Sequence, residues 1–285
     1  MSSSPPVQRA GWLRRHRLLV AVGVALLLVA GLWAVRLVDE WAGVGRARTY
    51  WASPHGEAGG LLYVALGDSA AQGVGASRPD RGYVGLLAVR LRDRCGCPVQ
   101  VVNLSVSGAR IQDVLDRQVP QLGRLHPDVV TVDAGGNDVA GGLSNRDLAV
   151  FAARVDRLTA LLPAGAYVAD VPYFMHGGRE GQAGRAAAVL ARSARARGLP
   201  VVALHAAQRA RGWSAMLTDF APDFFHPNDR GYQVWAKAFW SAMQSRPVGC
   251  GPRAPGRMGC AGQGPVTLTG DRAIRPWRRT GAAAS

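Results

Sequence analysis

The sequence predicts a three-layer α/β/α sandwich built on a parallel five-stranded sheet, preceded by one N-terminal transmembrane helix. Three observations lead there. Short apolar runs alternate with amphipathic stretches through the middle of the 285-residue chain, the pattern of strands covered on both faces by crossover helices. Residues able to do chemistry recur just after those runs, where open parallel sheets bind their ligands. A long uncharged run lies near the N-terminus.

The elements follow in order. Leu61 to Leu66 is a short apolar run stopped by Gly67, which reads as a buried strand. Tyr83 to Arg94 reads as an amphipathic helix and Val99 to Leu104 as a second strand. Ile111 to Leu122 places Ile111, Val114, Leu115, Val119 and Leu122 at helical spacing. Val129 to Val132 is a third strand, introduced by Pro127 and Asp128. Leu148 to Leu162 is the next helix and Ala166 to Val171 the fourth strand. Ala183 to Arg197 is a helix, Val201 to Leu204 the fifth strand, and Gly231 to Met243 a closing helix.

Leu18 to Val35 is a run of 18 residues without a charge. As a helix it spans ~27 Å, close to the ~30 Å hydrocarbon core of a bilayer. Arg14, Arg15 and Arg17 precede it; Arg36, Asp39 and Glu40 follow. The positive-inside rule then leaves the N-terminus in the cytoplasm and the rest outside, with Trp33 and Trp41 suited to the outer interface. The rivals are a cleaved signal peptide with a secreted protein, and a buried core helix. The run is longer than the usual apolar region of such peptides. Leu28 and Leu32 also make poor −3 residues for cuts after Ala30 and Ala34. The expected organisation is a basic cytoplasmic tail (1–17), an anchor (18–38), a linker (39–59), the folded domain (60–245) and a basic Pro/Gly-rich tail (246–285).

Net charge is +15 and unevenly placed: residues 1–59 carry +4, 60–245 carry +5 and 246–285 carry +6. Nucleic-acid binding wants basic and aromatic side chains interleaved on one folded surface, so no nucleic-acid partner is expected. The last 40 residues hold five Pro and eight Gly and show no hydrophobic period. The four cysteines, Cys95, Cys97, Cys250 and Cys260, suit an oxidising compartment and at least one disulfide. Their pairing stays open, although a Cys95–Cys97 bridge would be strained. The spacing is poor for zinc, and no metal or cofactor is expected.

The strand ends gather a serine, glycine backbone, an asparagine amide and a histidine with an acid. After the first strand come Gly67, Asp68 and Ser69. After the second come Ser105, Val106, Ser107 and Gly108. After the third come Gly135, Gly136, Asn137 and Asp138. Ahead of the closing helix come Asp223, Phe224, Phe225, His226 and Pro227. These are the parts acyl transfer needs: a nucleophile, donors for an oxyanion, a base, and a carboxylate to orient the base.

At these residues the chain resembles an SGNH/GDSL hydrolase. Gly67-Asp68-Ser69 with Gly73 matches the first block of that family. Asn103 to Gly108 matches the second, with Ser105 where many members have glycine. Gly135-Gly136-Asn137-Asp138 matches the third, and Asp223 to His226 the D-x-x-H of the fifth. The resemblance spans residues 61–243 and implies roles. Ser69 would be the nucleophile, His226 the general base, and Asp223 the group that fixes the imidazole. The oxyanion hole would use the Asn137 amide and the backbone N–H groups of Gly108 and Ser69, with glycine at 108 sparing a Cβ beside the substrate.

Each residue also has a plainer role to weigh. Ser69 alone would read as a helix cap, and Asn137-Asp138 as a turn. His126 lacks an acid three residues earlier, His205 lacks the D-x-x-H frame, and His176 falls near the strand rim as a loop residue. Asp68 reads as a hydrogen-bonding partner of its turn, Phe224 and Phe225 as packing that holds the histidine turn. Tyr173, Phe174 and Met175 suit either an acyl pocket or core. No phosphate loop, G-x-S-x-G elbow or H-E-x-x-H occurs. The whole is expected to be a flavodoxin-like α/β/α domain tethered outside the membrane, a metal-independent serine esterase acting on acyl or acetyl esters of lipid, envelope polysaccharide or small molecules. An acyltransferase with the same triad and a non-catalytic envelope-binding protein are the alternatives.

Overall fold

The structure is a computed structural model and describes residues 7–175, 177–245, 249 and 250. Six strands form one sheet in the order β1-β3-β2-β4-β5-β6. They are β1 (His55–Gly56), β2 (Leu61–Gly67), β3 (Val99–Asn103), β4 (Val129–Asp133), β5 (Tyr167–Ala169) and β6 (Val201–Val202). All neighbours run parallel except β1, which lies antiparallel to β3 at the edge. The five expected parallel strands are therefore present, with a two-residue edge strand added.

β2 and β4 are buried along their whole lengths, as strands covered on both faces must be. Their alternate side chains feed two cores. Tyr63 faces α2 (Tyr83–Cys95) and the closing helix, where Leu87, Leu91, Tyr232, Trp235 and Phe239 are buried. Leu62, Val64 and Leu66 face Ile111, Phe151, Leu158 and Leu190 on the other side. The register pairs Ala65 with Asn103 and Gly67 with Asp133, so the central strands end at one rim. The chain leaves β2 for β3 on one side and then crosses to β4 on the other. That reversal opens a crevice beyond the carboxyl end of β2.

Helices differ from expectation in bounds more than in kind. α1 (Val7–Tyr50) runs unbroken for 44 residues. The expected linker over 39–59 is thus helical as far as Tyr50 and then forms β1. Trp51 explains this: it is buried in the core and its Nε1 donates to the Gln72 carbonyl at 3.0 Å. The Ile111 to Leu122 helix is divided into α3 (Ile111–Asp113), a π-helical turn at Val114–Gln118 and α4 (Val119–Leu125). There follow α5 (Gly136–Ala140), α6 (Asn145–Leu161) and α7 (Gly177–Ala196). The expected Ala166–Val171 strand shortens to β5. The Val201–Leu204 strand ends at Val202, because Leu204 begins α8 (Leu204–Arg209). α9 (Ala215–Thr218) and α10 (Asp229–Ser245) complete the order.

Within α1, residues 19–35 present exposed apolar side chains, Leu19, Leu27, Leu32 and Val35 among them. The side chain of Leu18 lies outside the described residues. Among the described residues no helix is long and apolar enough to cross a membrane, so the expected transmembrane span is not shown. Cys95 and Cys250 form a disulfide across 155 positions, and Cys97 is disulfide-bonded as well. His176, Cys260 and nearly all of the expected 246–285 tail lie outside the described residues.

Candidate active site

Gly67 begins the site. Its φ is +149°, and a Cβ there would stand 2.2 Å from the Asp133 carbonyl oxygen. Only glycine lets β2 close so tightly on β4 before the chain turns. Gln118, in the π-helical turn, fixes that residue from both sides: Gly67 N donates to its Oε1 and its Nε2 donates to Gly67 O, both at 2.8 Å. Such turns often mark functional places in helices. The turn after Gly67 is closed by Ala70 N to Asp68 Oδ1 at 3.0 Å and Val74 N to Ser69 O at 3.0 Å. Asp68 is thus the turn partner expected of it.

Two polar side chains tie this turn to the loop after β3. Asn103 Nδ2 donates to Ala71 O at 2.7 Å and its Oδ1 accepts from Ser105 N at 3.1 Å. Gln72 Nε2 donates to Ser105 O at 2.9 Å, while its Oε1 accepts from Ser107 N at 3.2 Å. Gly108 follows with φ +80° and open space where a Cβ would be. Backbone conformation, rather than crowding, is what demands glycine there.

The structure brings Ser69, Asp223 and His226 together. His226 Nε2 lies 2.9 Å from Ser69 Oγ, and His226 Nδ1 lies 2.5 Å from Asp223 Oδ2. The other carboxylate oxygen accepts from Phe225 N at 2.9 Å and His226 N at 3.0 Å. Phe224 takes a left-handed φ of +52° to let the turn fold back, a conformation costly for an aromatic residue and characteristic of sites. Phe225 packs on the turn as expected, its ring edge-on to His226 with centroids 5.0 Å apart, whereas the ring of Phe224 contacts α1. Both are about 40% exposed; Phe224 stacks on Trp33 of α1, with ring centroids 5.3 Å apart. Asn228 also holds the turn. It donates to Thr218 O and Phe220 O, and accepts from Arg230 N and Gly231 N.

Asn137, in α5, stands beside this group but spends its amide hydrogens elsewhere. Its Nδ2 donates to Asp68 Oδ2 at 2.9 Å and Ala109 O at 3.2 Å. Ser69, Asp223 and His226 line a cavity of about 730 Å³ whose walls include Tyr173, Phe174, Met175, Met216, Phe220 and Phe225. Gly108 lines a separate recess of about 190 Å³ that shares no lining residue with this cavity. Of the competing histidines, His126 caps α4. His205 is held by Val171 O at 3.1 Å and Glu180 Oε1 at 3.1 Å. Among the described residues no group of three His, Cys, Asp or Glu side chains could hold a metal ion. Gln118 and Asp133 were missed in the sequence. An acid directly closing the apolar run Val129–Val132 was the available signal for Asp133; Gln118 offered none.

Charge in the site is uneven. Burial raises the Asp223 carboxyl, but the hydrogen bond and charge of His226, with two backbone N–H groups, hold it below its ordinary range. Burial pushes Asp68 up to about 6, against the Ala70 N–H and the His226 charge. Asp68 therefore binds its proton more tightly folded than unfolded. Its favourable contribution is complete below about pH 4 and is lost as pH rises through about 6. Urea unfolding of Asp68→Asn should show a flatter pH dependence between 4 and 7, by up to about 3 kcal/mol. An unchanged slope would contradict that shift.

A sequence-family model of the GDSL-like Lipase/Acylhydrolase family matches residues 65–234, more than half of the chain, and the chain belongs to that family. It is a GDSL-type hydrolase. Its structure is similar to an alpha/beta hydrolase enzyme from the metagenome of Lake Arreo, Spain, with 25% identity and a TM-score of 0.53 over 66% of this chain and 97% of that one. An acetylxylan esterase from Geobacillus stearothermophilus is 21% identical, with a TM-score of 0.50 over 65% and 94%. A lipase/acylhydrolase from Enterococcus faecalis is 20% identical, with a TM-score of 0.55 over 65% and 96%. The last two likenesses speak for the fold. No curated protein matches the sequence.

Proposed function

We propose that the protein is a serine esterase that hydrolyses carboxylic esters, with Ser69 as nucleophile, His226 as general base and Asp223 orienting it. The observation that carries this reading is the unbroken chain of hydrogen bonds Ser69–His226–Asp223 inside one open cavity. With Nδ1–H donated to Asp223, the neutral imidazole presents the Nε2 lone pair to the Ser69 hydroxyl. As Oγ attacks the ester carbonyl, the proton passes to Nε2. Asp223 stabilises the imidazolium, which then protonates the leaving alcohol. Water repeats the sequence on the acyl-enzyme and releases the acid.

The oxyanion would be held by backbone N–H of Ser69 and Gly108 and by Asn137. For that role Asn137 must give up one of its two bonds; the 3.2 Å bond to Ala109 O is the longer. Asn137→Ala should then lower kcat by about 10²–10³ with little change in KM, as steady-state kinetics would show. A KM effect alone would place Asn137 in binding instead. The substrate classes this reading admits are acetyl and longer acyl esters. A graded panel of 4-nitrophenyl esters, with Ser69→Ala as control, tests it: chain-length-dependent hydrolysis by the wild type alone supports it, and equal rates refute it.

The proposal includes a place of action outside the cytoplasm, with residues 18–38 holding the enzyme at the membrane. Its supports are the uncharged run behind three arginines, the unburied apolar side chains of α1 and a disulfide suited to an oxidising compartment. Protease added outside cells with a permeable wall should digest residues 60–285. Protection until lysis would contradict it.

A further inference from the structure

The cavity holds polar atoms that the esterase chemistry does not use. Asp133 closes β4 opposite Gly67, two residues from Ser69 in the chain, and its side chain reaches the same cavity. Trp235 of α10 and Gln182 of α7 reach it from the helical layers on opposite sides of the sheet. Asp133 and Trp235 are each 3% exposed. Asp133 Oδ2, Trp235 Nε1 and Gln182 Oε1 are buried and have no hydrogen-bond partner among the described residues.

We propose, resting on the esterase reading, that Asp133, Trp235 and Gln182 form a polar subsite that receives a hydroxyl group of the substrate and so favours hydroxylated esters over plain alkyl esters. Buried donors and acceptors are costly when unmet, whereas apolar side chains of the same shape in their places cost little. A cavity meant only for alkyl chains gains nothing from an acid and an indole N–H in its wall. The wall also carries the apolar side chains of Phe174, Met175, Met216 and Phe220, beside the polar Asp68, Arg179 and Gln208.

The donor set selects the ligand. Burial, reinforced by the charges of Asp68 and Asp170, pushes the Asp133 carboxyl well up, and a neutral carboxyl both donates and accepts. Trp235 Nε1 only donates and Gln182 Oε1 only accepts. A hydroxyl group, itself donor and acceptor, meets such a set. An anion placed at Asp133 would meet the charges of Asp68 and Asp170, whereas Arg179 lines the same cavity and offers a cation only elsewhere along its wall.

The test is binding without turnover, on the full chain carrying Ser69→Ala. Calorimetric titration compares 6-hydroxyhexyl acetate with hexyl acetate, and methyl 6-hydroxyhexanoate with methyl hexanoate. These pairs add one hydroxyl on the alcohol side or the acyl side. In at least one pair the hydroxylated ester should bind about three- to tenfold more tightly. Asp133→Leu and Trp235→Phe in the same background should bring that ratio near one. Trp235→Phe keeps an aromatic ring while losing the N–H and part of the indole volume, so it gives a second reading if Asp133→Leu does not fold. Ratios near one in both pairs before either substitution would mean that water alone meets these atoms, overturning the proposal. So would a preference that both variants retain. Failure of the esterase reading shows separately, as no Ser69-dependent hydrolysis in the nitrophenyl panel.

Discussion

Ser69→Ala and His226→Ala should each lower ester hydrolysis by about 10⁴–10⁶-fold, and the double variant should be scarcely worse than either alone. In the proposed mechanism attack by Oγ and removal of its proton are one event, which the 2.9 Å contact between Ser69 Oγ and His226 Nε2 would allow. Once either partner is gone, the other has no step to assist. Asp223→Asn should be milder. His226 keeps its place through the turn, which Asn228 ties to Thr218 O and Phe220 O, but loses the carboxylate that stabilises its charged form. Steady-state rates of the four variants check this pattern. Multiplying losses in the double variant would show that Ser69 and His226 act independently.

Loss of the Cys95–Cys250 bridge should be the largest single blow to stability. The bridge closes a loop across 155 positions, and the chain-entropy model assigns such a constraint up to about 5 kcal/mol. It joins the end of α2 to the chain just past α10, two helices that pack on the same face of the sheet. Its loss frees the C-terminal end of the helix that follows the D-x-x-H turn. Urea unfolding of Cys250→Ser should show the deficit, and full reduction of the wild type, which also opens the Cys97 bridge, should match or exceed it. Equal midpoints with and without reductant would contradict the entropic account.

The parts that could be read in the sequence are those whose signals are local. Leu61 to Gly67 announces a buried strand by composition, and Ser69 follows at its end because parallel sheets place ligands there. Asp223 and His226 share one turn, so their spacing of three is visible in the chain. Trp51 was less legible: an aromatic at the end of a mixed-polarity stretch carries no sign that its ring reaches the core and its Nε1 reaches Gln72 O. Gln118 looks like the polar side of a helix until a π-helical turn points it at Gly67. The second role of Asn137, holding Asp68, depends on two loops brought together only by the sheet. Trp235 falls on the apolar face of α10, where its indole N–H is hidden behind its hydrophobic character. The α1 run shows the opposite limit. Its composition is plain in the sequence, yet what surrounds those side chains depends on a medium that the chain itself does not contain.

The central claim is that Ser69 is a nucleophile activated by His226, and an alkyl fluorophosphonate tests it directly. Attack by Ser69 Oγ forms an oxygen–phosphorus bond, expels fluoride and passes the hydroxyl proton to His226. Peptide mass spectrometry of the treated wild type should find one adduct, on Ser69, at a rate that falls steeply in His226→Ala. No adduct, an adduct on another residue, or equal labelling without His226 would contradict the account.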